Sequence, residues 1–101
     1  MIIEITNYYA LPGQVPAVLA QRKHTSELRV RLGLPAGRIF VKLEGSGPDV
    51  RWECAFESLE DYEKDMAVRA GSTDFAATRR GMHALVERFE RNLQQEVVGP
   101  E

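Results

Sequence analysis

Cysteine is almost missing from this chain: Cys54 stands alone among 101 residues, which excludes an internal disulfide and leaves no second thiol for a CxxC metal or redox pair. Long apolar runs are missing too. None approaches the roughly 20 residues that span a bilayer, and the N-terminus lacks a basic-then-apolar leader. The chain is therefore expected to start at Met1, to stay off membranes and to work in the cytoplasm. Nor does charge of one sign dominate. Thirteen Lys and Arg oppose fifteen Asp and Glu, a net of −2, which gives no global pull toward nucleic acid. His24 and His83 form neither HxxxH nor HExxH, and the GSGPD turn at 45–49 fits neither GxxxxGK[ST] nor GxGxxG. No metal or cofactor is expected. A chain this short makes one core, so residues 1–101 are read as a single domain.

What is present is alternation of strand and helix signals. IIEITNYYAL at 2–11 alternates with period two, placing Ile3, Ile5, Asn7 and Tyr9 on one face and Ile2, Glu4, Thr6 and Tyr8 on the other. Pro12 and Gly13 end that strand, and a helix is expected over about 14–32, with Pro16 tolerated in its first turn. GLPAGR at 33–38 is a turn. RIFVKLEG forms a second strand, GSGPD a tight turn, and Val50, Trp52, Cys54 and Phe56 alternate with charged neighbours in a third strand, completing a hairpin. Ser58 with Asp61 has the form of a helix cap, and a helix starts at Leu59. Gly71 interrupts it and Asp74 caps a restart. Phe75, Met82, Val86, Phe89 and Leu93 then predict a long final helix, leaving residues 94–98 as a short last strand. The order is β-α-β-β-α-β, an α+β, ferredoxin-like pattern with an antiparallel sheet.

Several residues break the apolar patterning. Arg22 falls among Val18, Leu19 and Leu28, on a helix face otherwise committed to the core, and Arg79 falls between Phe75 and Met82 on the final helix. A buried guanidinium needs a carboxylate, carbonyls or a bound anion. Two inward arginines would hold a small carboxylate or enolate; the plainer alternative is that each lays its stem on the core and its head in water. Asn7 and Tyr9, in the row of Ile3 and Ile5, and Trp52, in the row of Val50, are expected to point toward the helices and to wall an apolar pocket with few polar groups. Each aromatic has an ordinary core role as its alternative. His83 sits at the rim as a possible general base. His24 reads as solvated, and Cys54, between Trp52 and Phe56, as an inert buried thiol. Basic residues over 22–31 read as a solvated helix surface.

With its opening IIEITNYYALPG and with FESLEDYEKDM leading into DFAATRRGMHALVERF, nearly the whole chain resembles the dimeric α+β barrel superfamily, which includes antibiotic-biosynthesis-type monooxygenases and NIPSNAP-like proteins. The resemblance implies a homodimer whose sheets pair into a barrel, with a small organic substrate between sheet and helices. Mixed charges at Glu4, Lys42, Glu44, Arg51, Glu53 and Glu57 on the open sheet face fit pairing across a two-fold axis, or a wet polar face. Heme-degrading members use an Asn, a Trp and a His; Asn7 matches the first, whereas Asp65 and Arg79 stand at the other two, which argues against heme cleavage, with His83 one turn on. The reading is a homodimer binding a small anionic organic molecule through Asn7, Tyr9, Arg22, Trp52, Arg79 and His83, as a cofactor-independent monooxygenase. Its rival is a non-catalytic metabolite-binding or protein-interaction dimer.

Overall fold

The computed structural model describes residues 1–100. Strand β1 (Ile2–Ala10) leads into helix α1 (Val15–Arg31), followed by the hairpin β2 (Arg38–Val41) and β3 (Val50–Phe56), helices α2 (Leu59–Ala70) and α3 (Thr73–His83), and β4 (Val86–Gln95). The four strands form one antiparallel sheet in the order β2-β3-β1-β4, the split arrangement expected of a ferredoxin-like α+β fold. All three helices lie on one side of it, and among the described residues no layer covers the other side.

Local chemistry explains the element ends. Pro16 sits in the first turn of α1, where its missing N–H costs nothing. The helix closes at Gly33, whose φ of +80° lets Gly33 N–H reach Val30 O and Leu34 N–H reach Arg29 O, a Schellman turn. Ser58 Oγ accepts from Asp61 N–H at 3.1 Å, as the sequence indicates. At the restart the cap is Ser72, which accepts from Phe75 N–H, and not Asp74, which lies inside the first turn of α3.

Two expectations are corrected. The final helix stops at His83, and residues read as its continuation form β4, paired with β1 from Ile2↔Gln95 to Ala10↔Val86. Phe89 and Leu93 have helical spacing, but they are also even steps along a strand, and a near full-length ladder with β1 outweighs the weak local preference. Residues 96–100, which include Val97 and Val98, are not strand.

The second correction concerns the faces of β1. Thr6 pairs with Trp52 and Glu4 with Cys54, so Glu4, Thr6 and Tyr8 share the helix side with β3's apolar row. Asn7 and Tyr9 lie on the open side, opposite to expectation, and Glu4 leaves the open-face charge set. Isoleucines stand on both rows, so the alternation itself carries no contrast that tells one face from the other. The core itself joins Tyr8, Val50, Trp52, Cys54 and Phe56 of the sheet to Val18 of α1 and Met82 of α3.

Candidate functional site

A cavity of about 180 Å³ opens between sheet and helices. Its floor is the row Glu4, Thr6 and Tyr8 with Trp52, and β4 adds Phe89 and Arg91. Helix α1 contributes Arg22 and Thr25, α2 contributes Met66 and Arg69, and α3 contributes Phe75, Thr78, Arg79, Met82 and His83. Each residue arrives by simple periodicity: 22 and 25 follow Val18 along the buried stripe of α1, and 75, 78 and 82 form that of α3.

Arg22 is the electrostatic anomaly. It is only 5% exposed, yet among the described residues it forms no salt bridge. Its Nη1 donates to Tyr8 Oη at 3.1 Å and its Nη2 to Ser26 Oγ at 3.3 Å. The guanidinium carbon lies 4.4 Å from the Trp52 ring centroid, and Nε is buried without a partner. Burial pushes its pKa below the usual arginine value, partly countered by Tyr8. A cation held among a phenol, a hydroxyl and an indole face has lost its water and gained no opposite charge.

Arg29, seven residues on, shows the contrasting solution. Fully buried, it donates from Nη1 and Nη2 to both oxygens of Asp65, at 3.2 and 2.7 Å, and from Nε to Pro35 O at 2.7 Å, a bidentate pair with Nε satisfied as well. The charge chain continues toward the cavity. Arg69 Nε lies 2.9 Å from Asp65 Oδ1, in ion-pair contact but too bent for a hydrogen bond, and its Nη atoms donate to both oxygens of Glu4 at 3.1 and 2.8 Å. Arg91 Nε donates to Glu4 Oε2 at 3.0 Å. Burial raises the Glu4 pKa, but the bonds and charges of Arg69 and Arg91 outweigh it and hold the carboxyl below its usual value. Glu4 is thus an ionised clamp on two arginines and a poor proton acceptor.

Of the residues singled out from sequence, Arg22, Trp52, Arg79 and His83 line this cavity. Arg79 is exposed at the mouth instead of buried at the centre of the stripe, because Thr78 occupies the central position between Phe75 and Met82. His83, also exposed, stacks on Phe89 with centroids 5.0 Å apart. Asn7 and Tyr9 stay outside: Tyr9 donates to Glu90 on the open face at 2.8 Å. Their neighbours Thr6 and Tyr8 take the positions expected of them. Sequence reading passed over Arg69, named Asp65 only as a departure from the heme-degrading pattern, and placed Arg29 on a solvated basic helix surface over 22–31, whereas Arg29 is fully buried because Asp65 neutralises it. Arg29 was detectable as the residue one buried heptad beyond Arg22; the pairing of Glu4 with Arg69 spans 65 positions and left no local signal.

Burial pushes the Cys54 thiol pKa up, opposed by Arg29, whose Nη2 lies 3.8 Å from the sulfur; this is an inert thiol. His24 is exposed. Among the described residues no three His, Cys, Asp or Glu side chains are grouped to hold a metal ion, and no helix is long and apolar enough to cross a membrane.

No protein-family model and no curated protein matches the sequence. Solved structures do match in fold. An uncharacterised NIPSNAP domain protein from Burkholderia xenovorans superposes with a TM-score of 0.77 at 15% identity, covering 100% of both chains. An antibiotic biosynthesis monooxygenase superposes at 0.74 with 15% identity, over 97% of this chain and 100% of that one. A dimeric protein of unknown function and ferredoxin-like fold from Bacteroides fragilis reaches 0.70 at 12% identity, over 94% and 95%. These are proteins of the kind the sequence resembles, and at such identities what this chain shares with them is the ferredoxin-like α+β fold.

Proposed function

We propose that this domain binds a small, partly apolar organic anion in the cavity between sheet and helices. One observation carries the reading: Arg22 is buried at the cavity wall without a carboxylate partner, and a carboxylate or enolate supplies the missing charge. The apolar walls at Trp52, Met66, Phe75 and Met82 suit a carbon skeleton.

The test uses the chain's single tryptophan, which lies against Arg22 and reports on its surroundings. Benzoate and 1-naphthoate titrated into the purified protein are expected to give saturable changes in Trp52 fluorescence and matching calorimetric heats. R22M should weaken binding about 10- to 100-fold, the worth of a charge-assisted hydrogen bond. It should leave the unliganded fold as stable or more stable, because it removes an uncompensated buried charge. Absence of binding by the native protein, or equal binding by R22M, contradicts the reading.

Catalysis is the finer version of the same proposal. His83 at the mouth takes a proton from an acidic CH2 of the bound anion, the carbanion adds dioxygen, and reprotonation with loss of water leaves a carbonyl, so that substrate and O2 give ketone and H2O with no cofactor. The fold shared with an antibiotic biosynthesis monooxygenase favours this version. Substrate-dependent uptake of dioxygen, lost in His83→Ala, tests it against a non-catalytic metabolite-binding domain.

The homodimer belongs to this proposal as well. The uncovered sheet face carries Ile3, Ile5 and Phe40, ringed by the pairs Arg51–Glu53 and Arg38–Glu53, and Asn7 Oδ1 is buried there without a hydrogen bond. An apolar centre, a polar rim and an unmet acceptor suit a second copy of the same face across a two-fold axis.

A further inference from the structure

The four arginines that line the cavity differ in what they have left to give. Arg69 is engaged by Glu4 and Asp65, and Arg91 by Glu4. Arg22 and Arg79 make no ion pair among the described residues. These two sit at different depths. Arg22 is buried on α1, whereas Arg79 is exposed on α3, one turn before His83. The lining thus carries four guanidinium charges against the single carboxylate of Glu4. A ligand with one negative charge satisfies Arg22 and leaves the mouth positive.

Resting on the binding reading above, we infer that the ligand is a dianionic organic acid with its two acidic groups set apart on a rigid apolar body. The inner carboxylate accepts from Arg22 beside the Tyr8 hydroxyl, the ring lies along Trp52 and Phe75, and the outer carboxylate meets Arg79 in partly solvated surroundings. A phosphate monoester fits less well. It concentrates both charges at one end, where Arg22 is the only uncommitted cation.

The experiment compares benzoate, isophthalate and phenyl phosphate as probes, against the full chain and against R22M and R79M, by calorimetry at low and high salt. Isophthalate is expected to bind about three- to fivefold more tightly than benzoate, the modest margin of an exposed charge pair, and the margin should shrink in 0.5 M salt, taken as roughly a Debye length below 5 Å. R79M should remove the preference, bringing isophthalate to the level of benzoate, while R22M weakens both acids. Equal binding of the two acids, an R79M protein that still prefers isophthalate, or phenyl phosphate binding more tightly than isophthalate overturns this inference while leaving the anion site standing. If none of the three binds, or R22M binds them unchanged, the site itself fails.

Discussion

Arg22 and Arg29 occupy the same stripe of α1 and are both buried, yet they answer the desolvation of a guanidinium in opposite ways. Arg29 is neutralised by Asp65 inside the chain, so it contributes to the fold and has nothing left for a ligand. Arg22 has hydroxyls and an indole face only, an arrangement that costs stability and that, on the proposed reading, a bound anion relieves. Glu4 controls the neighbouring charges. With its pKa held below the 4.5 of a free carboxyl, its contribution is complete above about pH 4.5 and is lost as pH falls through the lower native value. Glu4→Gln should therefore cost roughly 3 kcal/mol at pH 7, the order of a broken buried pair, and urea unfolding at stepwise lower pH should show the gap narrowing as pH falls below 4.5 and the native carboxylate is protonated. Equal stability of the two proteins at pH 7 would show that the Glu4 charge does not support the fold.

At the scale of elements, two glycines separate backbone need from space. Gly33 and Gly37 both have positive φ, +80° and +75°. A methyl at Gly33 meets nothing, whereas one at Gly37 runs into the Trp52 indole and Glu53 O, where Trp52 Nε1 donates to Ala36 O at 2.9 Å. Gly33→Ala should cost about 1 kcal/mol. Gly37→Ala should cost clearly more and shift the tryptophan emission, which denaturation followed by fluorescence measures; equal costs would mean that the turn does not fix the indole. The elements also show what could be read from sequence. The Ser58 cap, the turns and the hairpin were legible because their signals lie within a few residues, whereas at the restart Ser72 and Asp74 offered competing caps two positions apart and the wrong one was read. Strand β4 was not, because what makes 86–95 a strand is its ladder with β1, some eighty positions away. Arg22 announced itself as a charge in an apolar stripe. Thr6 and Tyr8 did not, since a polar cavity floor beside Ile3 and Ile5 inverts the usual contrast between buried and open faces.

For the whole molecule, a net charge of −2 hides a division of labour: the surface is mildly acidic while the cavity gathers four arginines around one carboxylate. On the binding reading proposed above, affinity for an anion depends on this local charge and not on the net charge of the chain. The uncovered sheet face is the other whole-molecule feature. Phe40, at 38% exposure, offers apolar surface there. Sedimentation of the native chain should give a dimer, and Phe40→Lys should shift it to a monomer that retains its circular dichroism; a native monomer, or a dimeric Phe40→Lys, would leave that face without a partner. The most direct measurement is a crystal structure of the protein soaked with an aromatic carboxylate. The carboxylate is expected within hydrogen-bonding distance of both the Arg22 guanidinium and the Tyr8 hydroxyl, with its ring against Trp52; a carboxylate seated elsewhere, with Arg22 still facing only hydroxyls and the indole, would contradict the assignment of this cavity.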